Sequence, residues 1–364
     1  DFSATSAFLM LGFSAFMAFE HDVNSIGLTL AFSGLSACTY LAAQRFGLKL
    51  TALLSVLFTG LALGRLMVVP GLWWAISDEA TLTSILSVFA TSIFIWFVAY
   101  LNAKNTKQNN HMAQFETAGI AAVAGLVITL ISKWAFNNNP PTYAFFGLLT
   151  TVFLIFTLVQ FRRRDLIDDL KIVRSAMGYL YLGLAALSLF VALVFGPLVQ
   201  DSVVGLFPVD SLVLSYLLPA VILVSGLLVK QIPKISTSKI CLGVAAALAS
   251  WTLVLEIRRF WHGPEISVDF IGSTPLVLKA ELYTYTIAML LAMAGIIFMS
   301  VLKKNAMLKR IGLALALVTA AKVFFWDAAG LQGLGRATAF IILGLTLAGL
   351  ATFLQRFGKE EPEQ

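Results

Sequence analysis

Residues 142–164 read TYAFFGLLTTVFLIFTLVQFRRR. The first twenty of these residues carry no charged side chain, and three arginines, Arg162, Arg163 and Arg164, follow directly. A helix rises about 1.5 Å per residue, so a run of this length is long enough to cross the hydrocarbon core of a bilayer, which is about 30 Å thick. The stretch therefore predicts a transmembrane helix that ends at a basic loop.

The whole chain has the composition of a membrane protein. Of its 364 residues 59% are hydrophobic and 12% are charged, whereas charged residues make up roughly a quarter of a typical soluble protein. Such a chain has too little polar surface to fold in water alone. Similar apolar runs predict about twelve transmembrane helices, at 2–19, 25–43, 48–69, 81–101, 114–134, 142–161, 174–196, 211–229, 239–257, 281–302, 308–327 and 336–355.

The basic residues indicate how these helices are oriented. Eighteen of the 25 Lys and Arg residues fall in every second loop or at the C-terminal end. Because basic loops stay on the cytoplasmic side, the sequence predicts an all-α, polytopic transmembrane helix bundle with both visible termini in the cytoplasm. The seven basic residues predicted for the outer side are Arg65, Lys133, Arg258, Arg259, Lys279, Lys322 and Arg336.

The net charge of +6 does not predict a nucleic-acid-binding protein. The basic residues form short clusters between apolar runs, which is the orientation signal of a membrane protein rather than a continuous phosphate-binding stripe. The expected partners are therefore membrane lipids, and no nucleic acid is expected. Other membrane protein subunits are a further class of partner for a chain with so many helices.

The predicted helices recur as hairpins. Every second helix starts near 48, 113, 174, 239 and 308, a spacing of about 65 residues that favours a bundle built from repeated units. We expect a single transmembrane domain over 1–364. Because the sequence begins at Asp1 within an apolar run, we also expect it to be part of a longer polypeptide with an N-terminal portion missing here.

Charged side chains inside a spanning segment are costly and indicate a buried partner or a site. Lys322 lies five residues before Asp327, about 140° away around the helix, so the two are poor partners. Either Lys322 extends its ammonium group towards the membrane surface, or an acid of another helix meets it. Glu256 and Glu281, both at the outer ends of predicted helices, are the candidates.

Two consecutive arginines on the predicted outer side also need compensation. Arg259 is three residues after Glu256 and can pair with it on one helix face, while Arg258 points elsewhere. A structural ion pair is the alternative to a binding site, and we favour the site. The candidate polar cluster at the outer ends of the last four helices comprises Glu256, Arg258, Arg259, Glu281, Lys322, Asp327 and Arg336.

Motifs of known chemistry are missing from the sequence. Cys38 and Cys241 have no CxxC or Cys/His metal-ligand spacing, so neither a metal nor a cofactor is expected. His21, His111 and His262 are predicted to lie in loops. No GxSxG, HExxH or Walker A pattern occurs. No catalytic residue is assigned, and an enzymatic activity is left open.

The C-terminal third resembles a known family. LEIRRFWHG at 255–263, AELYTYT at 280–286 and the stretch 308–357 are similar to the end of the DUF2339 family of predicted bacterial membrane proteins. The resemblance covers the last four predicted helices, 239–357, and implies the bacterial inner membrane but no reaction. The matching positions are Glu256, Arg258, Arg259, Glu281, Tyr283, Tyr285, Lys322, Asp327, Leu331, Gly333, Arg336, Phe340 and Gly344.

Three classes of function fit this organisation. An outward-facing role with a lipid or cell-envelope component would use the cations and acids at the outer helix ends. A transporter or flippase would use hairpin repeats and charged groups within the membrane. A scaffold subunit of a membrane complex would have no site. The first is the expectation, because the polar groups gather at the outer side rather than at the midplane.

Overall fold

The structure is a computed structural model that describes residues 1–18, 26–67, 80–166, 171–199, 202–228, 235–267 and 279–323, with single positions elsewhere. The described part is all-α apart from one small hairpin, as predicted. The helices are α1 (Phe2–Ala18), α2 (Ile26–Phe46), α3 (Lys49–Met67), α4 (Leu82–Asn105), α5 (Asn109–Asn138), α6 (Thr142–Leu166), α7 (Lys171–Val194), α8 (Leu218–Leu228), α9 (Ile235–His262), α10 (Lys279–Leu302) and α11 (Ala306–Lys322). The strands β1 (Gly205–Leu206) and β2 (Val209–Asp210) pair antiparallel, and a π-helix, Val213–Leu217, leads into α8.

The polytopic character of the chain is confirmed. Eight described helices are long and apolar enough to cross a membrane, and two further apolar helices, Phe2–Ala18 and Val213–Leu228, are shorter. The predicted segment at 336–355 lies almost wholly outside the described residues. A count of about twelve spans and the orientation of the termini stay predictions.

Several helices extend beyond their predicted apolar runs. The fifth begins at Asn109 instead of 114, and the ninth ends at His262 instead of 257. A helix satisfies its own backbone hydrogen bonds, so it continues through the polar headgroup region where an apolar window already stops. The predicted loop positions of His111 and His262 are therefore wrong, because both histidines lie in helices.

The chain forms two compact units, 1–252 and 253–364. In the first unit the consecutive helices pair as the hairpins α2–α3, α4–α5 and α6–α7, and α2 also packs on α4, α3 on α5, and α5 on α6. The expectation of a single domain over 1–364 stays a prediction. The buried core of α2 to α5 is built around the aromatic side chains of Phe32, Phe58, Phe89, Trp96 and Phe115.

A row of buried and partly buried polar side chains, here called the hydroxyl seam, crosses this core. Trp96 Nε1 donates to Ser36 Oγ at 3.0 Å, and Gln114 Nε2 donates to Thr59 Oγ1 at 2.8 Å. Small polar residues let membrane helices approach closely and bond across their interface. The seam comprises Ser33, Ser36, Ser55, Thr59, Ser92, Trp96 and Gln114.

The segment predicted as one helix over 211–229 has an irregular start. Pro219 has no N–H to donate back into the helix, and in the turn before it the Leu218 N–H bonds to the Val213 carbonyl, which widens the helix into a π-turn. Gly147 of α6 packs directly on this turn, because a Cβ at Gly147 would lie 2.4 Å from Ser215 Cα.

In the second unit, α10 and α11 form an antiparallel hairpin. Asn305 caps α11 by accepting hydrogen bonds from the Met307 and Leu308 amides, and Met293, Ile297 and Ala316 form its buried apolar contact. Chain direction then places the end of α9, the start of α10 and the end of α11 at the helix ends opposite the basic turn Lys303–Lys304. These three ends carry most of the predicted polar cluster.

Candidate polar site at the ends of α9, α10 and α11

Glu281 is the centre of this site. It lies in the first turn of α10, where the helix dipole favours a negative charge, and it is fully buried. Its carboxylate accepts hydrogen bonds from His262 Nε2 at 2.8 Å and from Tyr285 OH at 2.8 Å, and it pairs with Arg258 Nη1 at 3.4 Å. We call these four residues the Glu281 cluster.

Helical spacing explains why these side chains meet. Arg258 and His262 are four residues apart on α9, and Glu281 and Tyr285 are four residues apart on α10, so each pair lies on one helix face. Tyr285 OH also reaches the Val254 carbonyl at 3.3 Å. A buried carboxylate is costly unless it is paired and hydrogen-bonded, and the two facing pairs supply that compensation for Glu281.

Arg258 also holds the segment that follows α9. Gly263, with φ +75°, ends the helix in a left-handed conformation that glycine adopts without strain, and its N–H bonds to the Arg259 carbonyl at 2.8 Å. Arg258 Nε then donates to the Ile266 carbonyl at 2.8 Å. The guanidinium group therefore joins the exit of α9 to the start of α10.

Lys322 is held by α10. Its ammonium group donates to the Leu282 carbonyl at 3.0 Å and to the Thr286 hydroxyl. Both acceptors are uncharged and lie on α10, one of them on the residue that follows Glu281. Lys322 therefore connects α11 to the same end of α10, next to Glu281. The predicted pair with an acid of another helix stays a prediction.

Glu256 differs from its neighbours. Both carboxylate oxygens are buried, and neither accepts a hydrogen bond from any residue that the structure describes. The predicted pair between Glu256 and Arg259 is therefore not formed, although the Arg259 side chain is itself buried. A buried acceptor without a donor is costly, so Glu256 has the capacity to bind a ligand that carries hydroxyl or ammonium groups.

The sequence indicated some of these residues. It selected Arg258, Arg259, Glu281 and Lys322 from their cost in a membrane, and the structure brings Arg258 and Glu281 into contact. The predicted cluster lacks His262, because the sequence predicts a loop there. The four-residue spacing of His262 from Arg258 would have indicated it. Two of the predicted members, Asp327 and Arg336, lie outside the described residues.

A second ionic cluster, which the sequence did not indicate, lies at the basic end of the first unit. Arg174 of α7 is almost fully buried, and its Nη2 pairs with Glu116 Oε2 of α5 at 3.0 Å. Arg163 of α6 pairs with the other oxygen of Glu116 at 2.9 Å and offers its carbonyl to Arg174 at 2.7 Å. The cluster joins α5 to the α6–α7 hairpin.

Comparison with known proteins identifies the family. The family model described as "Predicted membrane protein (DUF2339)" matches residues 1–357. The chain belongs to this family. The DUF2339 resemblance of the C-terminal motifs therefore extends over essentially the whole chain and includes both ionic clusters. No curated protein and no solved structure matches this DUF2339 chain.

Proposed function

We propose that this chain binds an anionic lipid or a lipid-linked envelope component at the ends of α9, α10 and α11, on the outer face of a bacterial inner membrane. The observation that carries the proposal is the combination at Glu256 and Arg259: a buried carboxylate with two free acceptor oxygens lies one turn from a buried arginine. A headgroup with a phosphate and hydroxyl groups complements both.

Charge supports an anionic ligand. The described members of the predicted cluster are the cations Arg258, Arg259 and Lys322 and the acids Glu256 and Glu281, so these five residues have one more positive than negative side chain. A phosphate diester carries one negative charge. Arginine binds such groups through two parallel N–H donors and is the preferred partner of phosphate.

Aromatic side chains support a position at the membrane surface. Phe260 and Trp261 follow the arginine pair directly, are 63% and 37% exposed, and pack edge to face. Trp261 Nε1 donates to the Thr284 hydroxyl at 3.0 Å. Tryptophan rings such as that of Trp261 concentrate at the headgroup level of a bilayer, where a lipid phosphate also lies.

The test is headgroup binding by the purified full chain, measured by native mass spectrometry and by the thermal shift that added lipid produces. We expect Arg259→Ala and Lys322→Ala to weaken binding of both phosphatidic acid and phosphatidylglycerol, by about tenfold for each lost charged contact. Glu256→Gln should weaken the binding of phosphatidylglycerol, because this lipid offers glycerol hydroxyls to the carboxylate. The binding of phosphatidic acid should be unchanged.

The matched control is Glu265→Gln, the same change at an exposed carboxylate, and it should bind both lipids as the unmodified chain does. Equal binding by all four variants, at normal protein level, would remove the site and favour a scaffold.

A transporter or flippase is the second candidate, and the hydroxyl seam favours it, because the seam provides polar groups within the apolar core of the first unit. In proteoliposomes this alternative requires transfer of fluorescent phosphatidylglycerol between leaflets above the rate in empty vesicles. Gln114→Leu would then reduce the transfer. An unchanged transfer rate in the presence of the chain would leave headgroup binding as the function.

A further inference from the structure

The two-stranded hairpin of the first unit presents an apolar tip. Leu206, Phe207 and Val209 are 85%, 53% and 71% exposed, and we call these three residues the hairpin tip. They are the most exposed apolar group between α7 and α8. A cluster of this kind on a folded protein marks a surface that another apolar phase covers.

The base of the hairpin is fixed, so the tip is held in place. The Ser211 amide donates to the Val204 carbonyl at 2.9 Å, and the Val204 amide donates to Ser211 Oγ at 3.1 Å. Tyr143 of α6 shares a 2.6 Å hydrogen bond with the same Ser211 hydroxyl. Asp210 Oδ1 accepts from the Leu212 amide at 2.8 Å, at the start of the following helix.

Gly205 is required for this turn of the chain. Its φ is +113°, a conformation that residues with a side chain rarely adopt, and a Cβ there would lie 3.0 Å from Asp210 Cα. The backbone conformation of Gly205 therefore helps to hold the hairpin tip in its extended position.

The short connection between α7 and the next helix keeps the hairpin tip near the membrane surface. The hairpin lies between Val194, where the spanning helix α7 ends, and Val213, where the next helix begins. Strands of two residues extend about 7 Å, which keeps the tip close to the helix ends. Spanning helices end at the boundary between hydrocarbon and headgroups.

The lack of exposed charge around the hairpin tip favours lipid, rather than a protein, as its partner. Asp210 is the one charged residue in 202–212, and it is 2% exposed and used in the helix cap. Protein-binding surfaces carry a polar rim with hydrogen-bonding side chains, whereas the face of a segment that enters the lipid interface is apolar.

We propose that the hairpin tip inserts into the lipid interface of the leaflet opposite the basic loops and anchors the ends of α7 and α8 there. The inference is independent of the headgroup site, because it concerns other residues in the other unit.

The experiment measures collision of a spin label with oxygen, which dissolves in lipid, and with a water-soluble nickel chelate. Single cysteines are introduced into the full chain with Cys38→Ala and Cys241→Ala, and the protein is studied in lipid nanodiscs. Leu206→Cys and Val209→Cys report on the tip. Phe190→Cys, exposed on α7, is the lipid control, and Asn105→Cys, exposed at the end of α4, is the aqueous control.

We expect oxygen collisions to exceed nickel collisions at both tip positions, as at Phe190→Cys and opposite to Asn105→Cys. Nickel accessibility at the tip equal to that at Asn105→Cys would overturn the proposal. Protection from both reagents in native membranes together with nickel access in nanodiscs would also overturn it, and would assign the tip to a protein partner. Two tip positions keep the test decisive if one variant fails to fold.

Discussion

Glu281 shows how one carboxylate can organise three helix ends. It receives donors from α9 and α10, and the residue next to it holds Lys322 of α11. Removing charges from water is expensive, so such a network adds little net stability compared with apolar packing, but removing one member leaves the others uncompensated. The arrangement of the three ends therefore depends on this residue.

The variant Glu281→Gln tests that dependence. It keeps the size of the side chain and removes the charge that compensates the buried Arg258, so we expect the free energy of unfolding in detergent micelles to fall by about 3 kcal/mol. The double variant Glu281→Gln with Arg258→Met should recover most of the loss, because no buried charge is then left.

Glu265→Gln, at an exposed carboxylate of the same unit, should unfold like the unmodified chain. The account of the cluster fails if Glu281→Gln is as stable as this control.

At these positions the sequence could indicate which side chains are costly but not which atoms meet. Arg258, Glu281 and Lys322 were indicated by their charge in apolar surroundings. The contact of Glu281 with His262 depends on five further helical residues after 257, where apolar periodicity has already ended. The absence of a Glu256–Arg259 bond depends on side-chain orientation, which spacing along a helix permits but does not determine.

Among the helices, close packing is decided by a few small residues. A Cβ at Gly147 would lie 2.4 Å from Ser215 Cα, whereas nothing lies within 4 Å of one at Gly183 of α7. We expect Gly147→Ala to lower the free energy of unfolding by about 1–3 kcal/mol, because α6 and the π-turn must separate.

Gly183→Ala should be neutral or stabilising by up to about 1 kcal/mol, as alanine is the better helix former. Chemical unfolding of both variants, followed by tryptophan fluorescence, measures the difference. Equal stabilities would show that α6 and the π-turn are not in close contact.

Helix positions could be predicted well because each spanning helix needs a long apolar run. The helices that begin at Lys49, Asn109, Lys171, Ile235 and Ala306 all start within five residues of the predicted starts. The hairpin at 205–210 could not be predicted, because strands of two residues have no periodicity to detect. The π-turn before Pro219 could not be predicted either, because a proline removes one backbone donor without determining how the preceding turn rearranges.

Each of the two units carries one buried ionic cluster that joins helices. In the first unit Glu116 joins α5 to the α6–α7 hairpin at the basic helix ends. In the second unit Glu281 joins α9 to α10 at the helix ends that the positive-inside rule assigns to the outer face. The proposed headgroup site depends on that assignment, since the Glu281 cluster must face the leaflet where the ligand lies.

The orientation is tested most directly by labelling intact cells with a membrane-impermeant thiol reagent. The full chain with Cys38→Ala and Cys241→Ala carries one new cysteine, at Glu265 beside the Glu281 cluster or at Arg162 in the basic loop; both side chains are exposed. We predict that Glu265→Cys is labelled in intact cells and Arg162→Cys only after the membrane is permeabilised. Labelling of Arg162→Cys alone in intact cells would contradict the orientation and the outward-facing site.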